Sequence, residues 1–194
     1  MEGAYFKSQG SLLSFSEEDL VQCNSDTDSG CNGGLMDNAF AWVESNGIAA
    51  ESAYPYTSGT GTTGTCDTSK KNNPVATVGG YVDVTANSQS AMQSAVAQQP
   101  VSIAIEADQS VFQLYSGGVM DSTSCGTNMD HGVLVVGYDA SGDSPYWKVK
   151  NSWGSSWGES GYIRLGMASY GAGICGMYQQ ASYPTGAAPY SAVA

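Results

Sequence analysis

Residues 128–138 read Asn-Met-Asp-His-Gly-Val-Leu-Val-Val-Gly-Tyr, and residues 150–158 read Lys-Asn-Ser-Trp-Gly-Ser-Ser-Trp-Gly. The first stretch holds His131, the only histidine of the chain, directly before a short apolar run. The second places Asn151 in a frame of tryptophan and glycine. The apolar run predicts a buried strand, and Asn151 stands before a turn at the end of another predicted strand. Strands can place two such side chains on one wall, where an indole shields their hydrogen bond from water.

This pair of side chains indicates nucleophilic catalysis. A cysteine protease needs a thiolate, a histidine that holds the proton and an acceptor that orients the imidazole. His131 fits the second role and Asn151 the third. A lone histidine is more often an ordinary surface or core residue, and Trp153 and Trp157 alone are more often core side chains. Their common setting nevertheless favours the catalytic interpretation.

The apolar period changes along the chain and predicts an α+β protein. Acidic residues after Ser16 indicate a capped helix, and the stripe from 35 to 43 indicates another that ends at Gly47. A third helix is predicted around 92–96, before Pro100. Period-two or short apolar runs predict strands at 101–105, 133–136, 146–150 and 161–165. Residues 58–73 have a loop composition, and residues 185–194 resemble a frayed tail.

Composition and charge exclude several functional classes. The chain has 194 residues, 41% of them hydrophobic, and 25 glycines, which is typical of a loop-rich globular protein of one large or two small domains. A net charge of −12 argues against nucleic acid or an anionic membrane as a partner. No apolar run is long enough to predict a transmembrane helix. The first residues lack a basic start and an apolar core, so they predict no signal peptide.

The five cysteines are Cys23, Cys31, Cys66, Cys125 and Cys175. None forms a Cys-x-x-Cys pair, and with a single histidine the sequence predicts no zinc cluster and no other metal site. Disulfides are therefore favoured over metal binding, which indicates an oxidising compartment. An odd count predicts a free thiol or a cysteine whose partner is missing.

Short motifs spread over residues 2–184 make the interpretation more specific. They are Glu2-Gly3-Ala4-Tyr5-Phe6, Leu13-Ser14-Phe15-Ser16-Glu17, Gly30-Cys31-Asn32-Gly33-Gly34-Leu35-Met36, Tyr54-Pro55-Tyr56, Pro100-Val101-Ser102-Ile103-Ala104-Ile105, Met129-Asp130-His131-Gly132, Asn151-Ser152-Trp153-Gly154, Trp157-Gly158, Gly161-Tyr162 and Ala181-Ser182-Tyr183-Pro184. In this order, the motifs resemble those of the papain/cathepsin L family of cysteine proteases. The resemblance implies a papain-like two-domain fold. Residues 1–83 correspond to an incomplete helical left domain and residues 84–184 to a β-barrel-like right domain, with the active-site cleft between them and residues 185–194 as a tail.

The resemblance also implies roles for individual residues. His131 is the catalytic histidine, which pairs with the thiolate and later protonates the leaving amine, while Asn151 holds its ring and Trp153 covers that bond. Gly33 and Gly34 form a backbone rail for extended substrate, where a side chain would obstruct the approach. The pocket for the second residue upstream of the scissile bond is implied at Leu35, Met36, Ala104, Met129, Gly132 and Gln180. That pocket is mostly apolar and implies a preference for Leu or Phe, and Trp157 borders the primed side with Trp153. No cofactor is implied.

The chain departs from the family at the nucleophile. The family's Cys-Gly-Ser-Cys-Trp signature stands about 130–150 residues before the catalytic histidine. Counting back from His131 therefore places that cysteine, and the oxyanion glutamine before it, upstream of Met1. The resemblance pairs Cys23 with Cys66 and Cys125 with Cys175, and leaves Cys31 unpaired because its partner belongs to the missing signature. We therefore expect a chain truncated before the catalytic cysteine and inactive without that segment.

Three interpretations remain open. In the first, the gene product is a papain-like endopeptidase that acts on extended peptides or proteins. The resemblance implies a monomer, proteinaceous cysteine-protease inhibitors as further partners, and a lysosomal, vacuolar or extracellular location. In the second, the protein is a catalytically inactive homologue that binds peptides. In the third, the truncated chain exposes apolar surface and is poorly soluble or molten.

Overall fold

The computed structural model describes residues 1–168 and 171–191, and the α+β class predicted from the sequence is confirmed. The chain divides into two compact units. The first comprises Met1–Val82 together with the residues from Pro184 onward, and the second comprises Asp83–Tyr183. In the described ranges, no helix is both long and apolar enough to cross a membrane.

Four helices belong to the first unit: α1 (Glu2–Gln9), α2 (Glu17–Cys23), α3 (Met36–Asn46) and α4 (Thr68–Lys71). The Ser16 side chain accepts a hydrogen bond from the Asp19 N–H at 2.9 Å, so the predicted cap of α2 is confirmed. Helix α3 ends at Gly47, whose φ of 72° favours glycine, as the sequence predicts.

The core of the first unit contains residues from both ends of the sequence. Its buried members are Tyr5, Phe15, Val43, Ile48, Ala76, Val78 and Ala187. Strand β1 (Ala76–Thr77) pairs antiparallel with β9 (Ala188–Pro189), and the Tyr190 N–H donates to the Val75 carbonyl at 3.0 Å. The C-terminal segment is therefore paired up to residue 190, which differs from the frayed tail predicted for 185–194. Residues 192–194 of that predicted tail lie outside the described residues.

The segment 58–73, predicted as loop, contains a short 3-10 turn at Ser58–Thr60 and helix α4. The Asp67 side chain accepts from the backbone N–H groups of Ser69 and Lys70 and caps this helix. An aspartate before a serine and two lysines is a helix-start signal that the loop-like composition around it obscures.

The second unit contains α5 (Gln89–Val96), α6 (Ser110–Gln113) and most of the strands. Helix α5 is the one predicted before Pro100, and the Ser88 hydroxyl caps it by accepting from the Ala91 N–H at 3.2 Å. The strands are β3 (Val101–Ile105), β4 (Val119–Met120), β5 (His131–Asp139), β6 (Tyr146–Lys150), β7 (Tyr162–Gly166) and β8 (Ala181–Thr185).

The larger sheet has the strand order β2-β8-β3-β5-β6-β7-β4, where β2 is Gly80–Asp83. Strands β3, β5, β6 and β7 pair antiparallel in succession, and β4 runs parallel to β7. In the described residues its end strands do not pair with each other, so the sheet is open and the expected barrel-like form holds only loosely. Apolar side chains that alternate along these strands, including Ile103, Val135 and Val149, form the core of this unit.

Both disulfides implied by the resemblance are present. Cys23 bonds to Cys66 in the first unit and Cys125 to Cys175 in the second. Cys31 carries a free, exposed thiol. Each bridge closes a loop of similar length, with sequence separations of 43 and 50 residues.

Candidate active site

The backbone of His131 is fixed by strand pairing. His131 begins β5 opposite Ile105, the last residue of β3, and Gly132 lies opposite Ala104. The preceding residue, Asp130, donates its N–H to the Ile105 carbonyl at 2.9 Å. Its carboxylate accepts from the Ala107 N–H at 2.8 Å. Pairing with β3, together with the two hydrogen bonds of Asp130, therefore places the imidazole at the end of the sheet.

Asn151 follows β6, the strand next to β5, and is buried. Its backbone N–H donates to the Gly161 carbonyl at 3.0 Å. Its side-chain Oδ1 lies 2.8 Å from His131 Nε2 and also accepts the Ser152 N–H at 2.8 Å. The structure thus brings together the histidine and asparagine that the sequence singles out.

The two hydrogen bonds at Asn151 define the protonation pattern of His131. The Ser152 N–H is a donor only, so the amide atom that it contacts is oxygen. An oxygen cannot donate, and Nε2 of His131 therefore carries the hydrogen of the His131–Asn151 bond. In the neutral ring Nδ1 then holds the free lone pair. The arrangement leaves Nδ1 available to take a proton from a nucleophile and to return it.

An aromatic cluster covers the imidazole. The Trp153 indole stacks on the His131 ring with centroids 5.1 Å apart and planes inclined by 29°. Trp153 meets Trp157 and the fully buried Phe112 edge to face, at 5.3 and 5.5 Å. The Trp157 indole N–H donates to the Gln113 carbonyl at 3.0 Å. Shielding from water strengthens the hydrogen bond below Trp153.

Two further networks secure Trp157, whose ring centroid lies 5.8 Å from that of Tyr115. The Tyr115 hydroxyl donates to the Gly118 carbonyl at 2.6 Å, and burial raises the pKa of this hydroxyl above its ordinary value. Glu159 pairs with Arg164 and accepts the Gly118 N–H at 3.0 Å. No local motif in the sequence marks Phe112 or these polar groups.

Three of the expected pocket residues in the second unit lie next to one another, two of them in the sheet and Gln180 directly before β8. Ala104 pairs with Gly132, and the Ala104 N–H donates to the Gln180 carbonyl at 2.9 Å. Gln180 is exposed, and Met129 is half-buried in the turn before β5. The backbone of Ala104, Gly132 and Gln180 therefore lies at the same end of the sheet as His131.

The first unit holds the other expected substrate residues, Gly33 to Met36, directly before and at the start of α3. Gly33 has a φ of 103°, a conformation that favours glycine, and open space where a Cβ would be. Leu35 is exposed, and its N–H donates to the Asp28 carboxylate at 3.0 Å. Asp28 was not among the predicted site residues, since nothing in its local sequence shows that it contacts Leu35.

The cysteines leave a single thiol. Four of them form the two disulfides, and Cys31 lies in the 3-10 turn Gly30–Asn32 of the first unit. Within the described ranges, no group of three or more His, Cys, Asp or Glu side chains is placed to hold a metal ion.

Comparisons with known proteins agree with this geometry. The family model described as "Papain family cysteine protease" matches residues 1–185. The thiol protease SEN102 of Hemerocallis sp. is 48% identical over 186 residues, which are 95% of this chain and 51% of that protein. Vignain of Ricinus communis is 50% identical over 176 residues, 89% of this chain and 48% of that protein. The chain thus spans about half the length of the curated relatives it matches.

Solved structures show the same similarity. The bromelain protease from Ananas comosus, in complex with the E64 inhibitor, has a TM-score of 0.86 and 40% identity, over 95% of this chain and 84% of that chain. The proform of Amb a 11, a ragweed pollen cysteine protease, has a TM-score of 0.88 and 40% identity, over 95% of this chain and 56% of that chain. The chain belongs to the papain family of cysteine proteases.

Proposed function

We propose that His131 and Asn151 are the acid–base part of a Cys-His-Asn site in a papain-like cysteine endopeptidase. The observation that supports this most is the His131 Nε2–H to Asn151 Oδ1 hydrogen bond, which leaves Nδ1 free for proton transfer. The Trp153 stack keeps the ring in this orientation and limits competition from water.

The proposed reaction moves one proton through Nδ1. A cysteine thiol gives its proton to Nδ1 of His131, and the thiolate attacks the carbonyl carbon of the scissile peptide bond. The imidazolium then protonates the leaving amine nitrogen, and the carbon–nitrogen bond breaks. Water, deprotonated by the same nitrogen, attacks the thioester and releases the acid and the thiol. Throughout these steps Asn151 accepts the hydrogen bond from Nε2–H.

The nucleophile in this proposal is a cysteine outside the 194 residues, in a Cys-Gly-Ser-Cys-Trp segment that follows the oxyanion glutamine. The state of the cysteines supports this, because four are bonded in pairs and Cys31 lies in the Gly30–Asn32 turn. The printed sequence contains no Cys-Gly-Ser-Cys-Trp segment. The 194 residues alone are therefore expected to hydrolyse no peptide.

The expected substrates are extended peptides with a hydrophobic side chain such as Leu or Phe at the second residue upstream of the scissile bond. Gly33 and Gly34 would hold the peptide backbone, and the set Leu35, Met36, Ala104, Met129, Gly132 and Gln180 would receive that side chain. Proteinaceous inhibitors would bind the same surface of a monomeric enzyme. The two disulfides support a vacuolar, lysosomal or extracellular location.

Hydrolysis of a fluorogenic Phe- or Leu-containing peptide tests the proposal. The chain would be compared with a form extended upstream by its own gene through the signature cysteine. We expect activity in the extended form only, with a loss of about 100-fold or more in His131→Ala. Full activity of His131→Ala would refute the proposed role. Activity of the short form that Cys31→Ala abolishes would show that the nucleophile is misassigned.

A second candidate function is peptide binding without turnover. A gene with no in-frame signature upstream, together with saturable binding of an uncleaved peptide by the folded chain, would support this function over the first.

A further inference from the structure

The segment Gly33–Leu35 is organised by one carboxylate. Asp28 Oδ1 accepts the backbone N–H of Leu35 at 3.0 Å and the Asn38 side-chain amide at 2.9 Å. Its other oxygen accepts the Asn24 side-chain amide at 2.6 Å. Three donors from three places in the sequence therefore converge on one side chain.

The Asn24 amide is itself held in place. Asn24 is 3% exposed and caps the C-terminus of α2, and its side-chain oxygen accepts the Thr27 hydroxyl at 2.9 Å. The Ser29 N–H also donates to the Gly33 carbonyl at 2.8 Å, across the same turn. Asp28 thus links a rigid helix end to the exposed glycine segment.

Asp28 also accounts for the glycine at position 34. A Cβ on Gly34 would lie 2.4 Å from Asp28 Cγ, far inside van der Waals contact. Gly34, unlike Gly33, does not have a left-handed φ, so its backbone conformation is open to other residues. The carboxylate, and not the backbone angle, therefore excludes a side chain at this position.

We infer that Asp28 is a positioning residue for peptide binding, which fixes the Gly33–Leu35 backbone in the conformation that an extended peptide would pair with. The inference rests on the proposed function, because it assigns peptide binding to this segment. Strand-like pairing needs backbone groups held at fixed spacing, and a mobile segment would lose ordering entropy on each binding event.

The test compares variants of the whole 194-residue chain, with the uncleaved peptide acetyl-Phe-Leu-Ala-Ala-amide as the probe. NMR titration gives the affinity, and the Leu35 amide signal reports the hydrogen bond to position 28. We expect Asp28→Ala to shift the Leu35 amide and to weaken peptide binding about tenfold. Asp26→Asn, which removes a nearby exposed carboxylate with the same change in charge, is the matched control and is expected to change neither.

Exchanging the side chains of Asp28 and Asn24 provides a test of whether peptide affinity can be rescued. Asp28→Asn keeps an acceptor for Leu35 but places an amide donor against the Asn24 donor, so we expect about a threefold loss of affinity. Adding Asn24→Asp restores a donor and an acceptor in reversed order without changing the net charge of the wild type. We expect the double variant to bind within about twofold of wild type.

The Gly34 contact adds an independent test. Gly34→Ala is expected to weaken binding in the presence of Asp28 and to have a much smaller effect in an Asp28→Ala background, because the contacted atoms are then gone. Equal effects in both backgrounds would refute the contact.

The outcomes separate the two proposals. If the Leu35 amide signal and the peptide affinity are the same in Asp28→Ala as in Asp26→Asn, the role inferred for Asp28 is refuted. If the Leu35 amide moves while the peptide affinity stays unchanged in every variant, Asp28 holds the segment but the segment does not bind peptide. That second result contradicts the proposed function at Gly33 and Gly34.

Discussion

The strand that carries His131 and the segment that carries Gly33 are both fixed, but by different forces. Backbone pairing holds His131, which pairs with Ile105 of β3, while β6 pairs with β5 from Leu134 onward. Asp28 accepts the Leu35 N–H and two side-chain amides, and the Ser29 N–H donates to the Gly33 carbonyl. The first arrangement spreads the constraint over many main-chain bonds, and the second concentrates its side-chain bonds in one residue.

This difference predicts how each region responds to substitution. A strand in the middle of a sheet tolerates the loss of one side-chain contact, because its register is set by its other bonds. A loop that depends on one side chain loses its geometry when that side chain is removed, because the orphaned donors are then free to find other partners. The change in the free energy of unfolding should therefore be measured for substitutions in each unit and compared between the two units.

The largest expected effect concerns the two disulfides. Replacing both cysteines of either bridge by alanine is expected to cost about 4 kcal/mol from loop entropy, because the loops are of similar length. Cys125 and Cys175 are buried, at 0% and 1% exposure, so their removal also leaves a cavity worth about 1–2 kcal/mol more. Denaturant unfolding under non-reducing conditions measures both losses.

Equal losses for the two pairs would contradict the role of packing around Cys125 and Cys175. These measurements require a sharp transition in the unmodified chain, and such a transition would exclude the third interpretation, a molten chain.

The next largest loss of stability is expected for substitution of Glu18, in the first unit. Its buried carboxylate accepts from the Thr57 and Ser58 backbone N–H groups at 3.1 and 3.2 Å, and from both hydroxyls and the Gln22 amide. Burial opposes its ionisation, but these hydrogen bonds outweigh burial and lower its pKa below the ordinary value of 4.5. Glu18→Gln places an amide donor among these donors, so we expect a loss of about 3 kcal/mol at pH 7.

The pH dependence follows from the direction of that shift. A carboxyl with a lowered folded pKa contributes its stability above the unfolded value near 4.5, and the contribution is lost as the pH falls through the folded pKa. The stability difference between the wild type and Glu18→Gln should therefore shrink below about pH 4. Unfolding curves from pH 3 to pH 7 measure it, and a difference that stays constant over this range would contradict the assignment.

How much of this the sequence predicts depends on whether the contact has a local signal. The capping Ser16, the strand around Val135 and the β-strand before Asn151 follow from short-range patterns, and the structure contains all three. The disulfide partners followed from the family resemblance, since spacing alone leaves several pairings possible.

The residues that the sequence analysis missed act over long separations. Asp28 reaches Leu35 and Asn38 only after a turn reverses the chain, and Phe112 meets Trp153 from a different element. The Gly, Ala and Pro composition around strand β9 is typical of a frayed end, and only pairing with β1 makes this segment a strand. These contacts form only in the tertiary fold, so no periodic pattern in the sequence predicts them.

Tyr178, in the second unit, responds to the opposite end of the pH scale. Its hydroxyl accepts the Trp147 indole N–H at 2.7 Å, and burial raises its pKa to about 12 despite that bond. Tyr178→Phe leaves the buried indole N–H without this acceptor, so we expect a loss of about 1.5 kcal/mol at pH 8.

The pH dependence of stability at Tyr178 has the opposite sign to that at Glu18, because stability is lost as the pH rises. The unfolded chain ionises this tyrosine near pH 10, whereas the folded chain keeps the proton to about 12, so the wild type loses stability between these values. Phenylalanine does not ionise and has no such loss. The stability deficit of Tyr178→Phe relative to the wild type should therefore narrow from pH 10 upward. Denaturant unfolding at pH 8, 10 and 11 checks this, and a deficit that widens would overturn it.

The smallest expected effect bears most directly on the comparison between the two regions. Asp130→Ala removes the acceptor of the Ala107 N–H next to His131, but Asp130 is exposed and water can replace it, so we expect a loss of at most about 1 kcal/mol. Since β3 pairs with β5 from Val101 to Ile105, the ring should stay bonded to Asn151. The His131 Nε2–H proton signal reports that bond by NMR.

Asp28→Ala is the matched variant for this measurement, because it too removes one carboxylate that accepts a backbone N–H. If the difference between the two regions is correct, Asp28→Ala shifts the Leu35 amide while Asp130→Ala leaves the His131 Nε2–H signal in place. Loss of that signal in Asp130→Ala would mean that the strand register does not suffice to hold the imidazole. His131 would then depend on a neighbouring carboxylate, as Leu35 does.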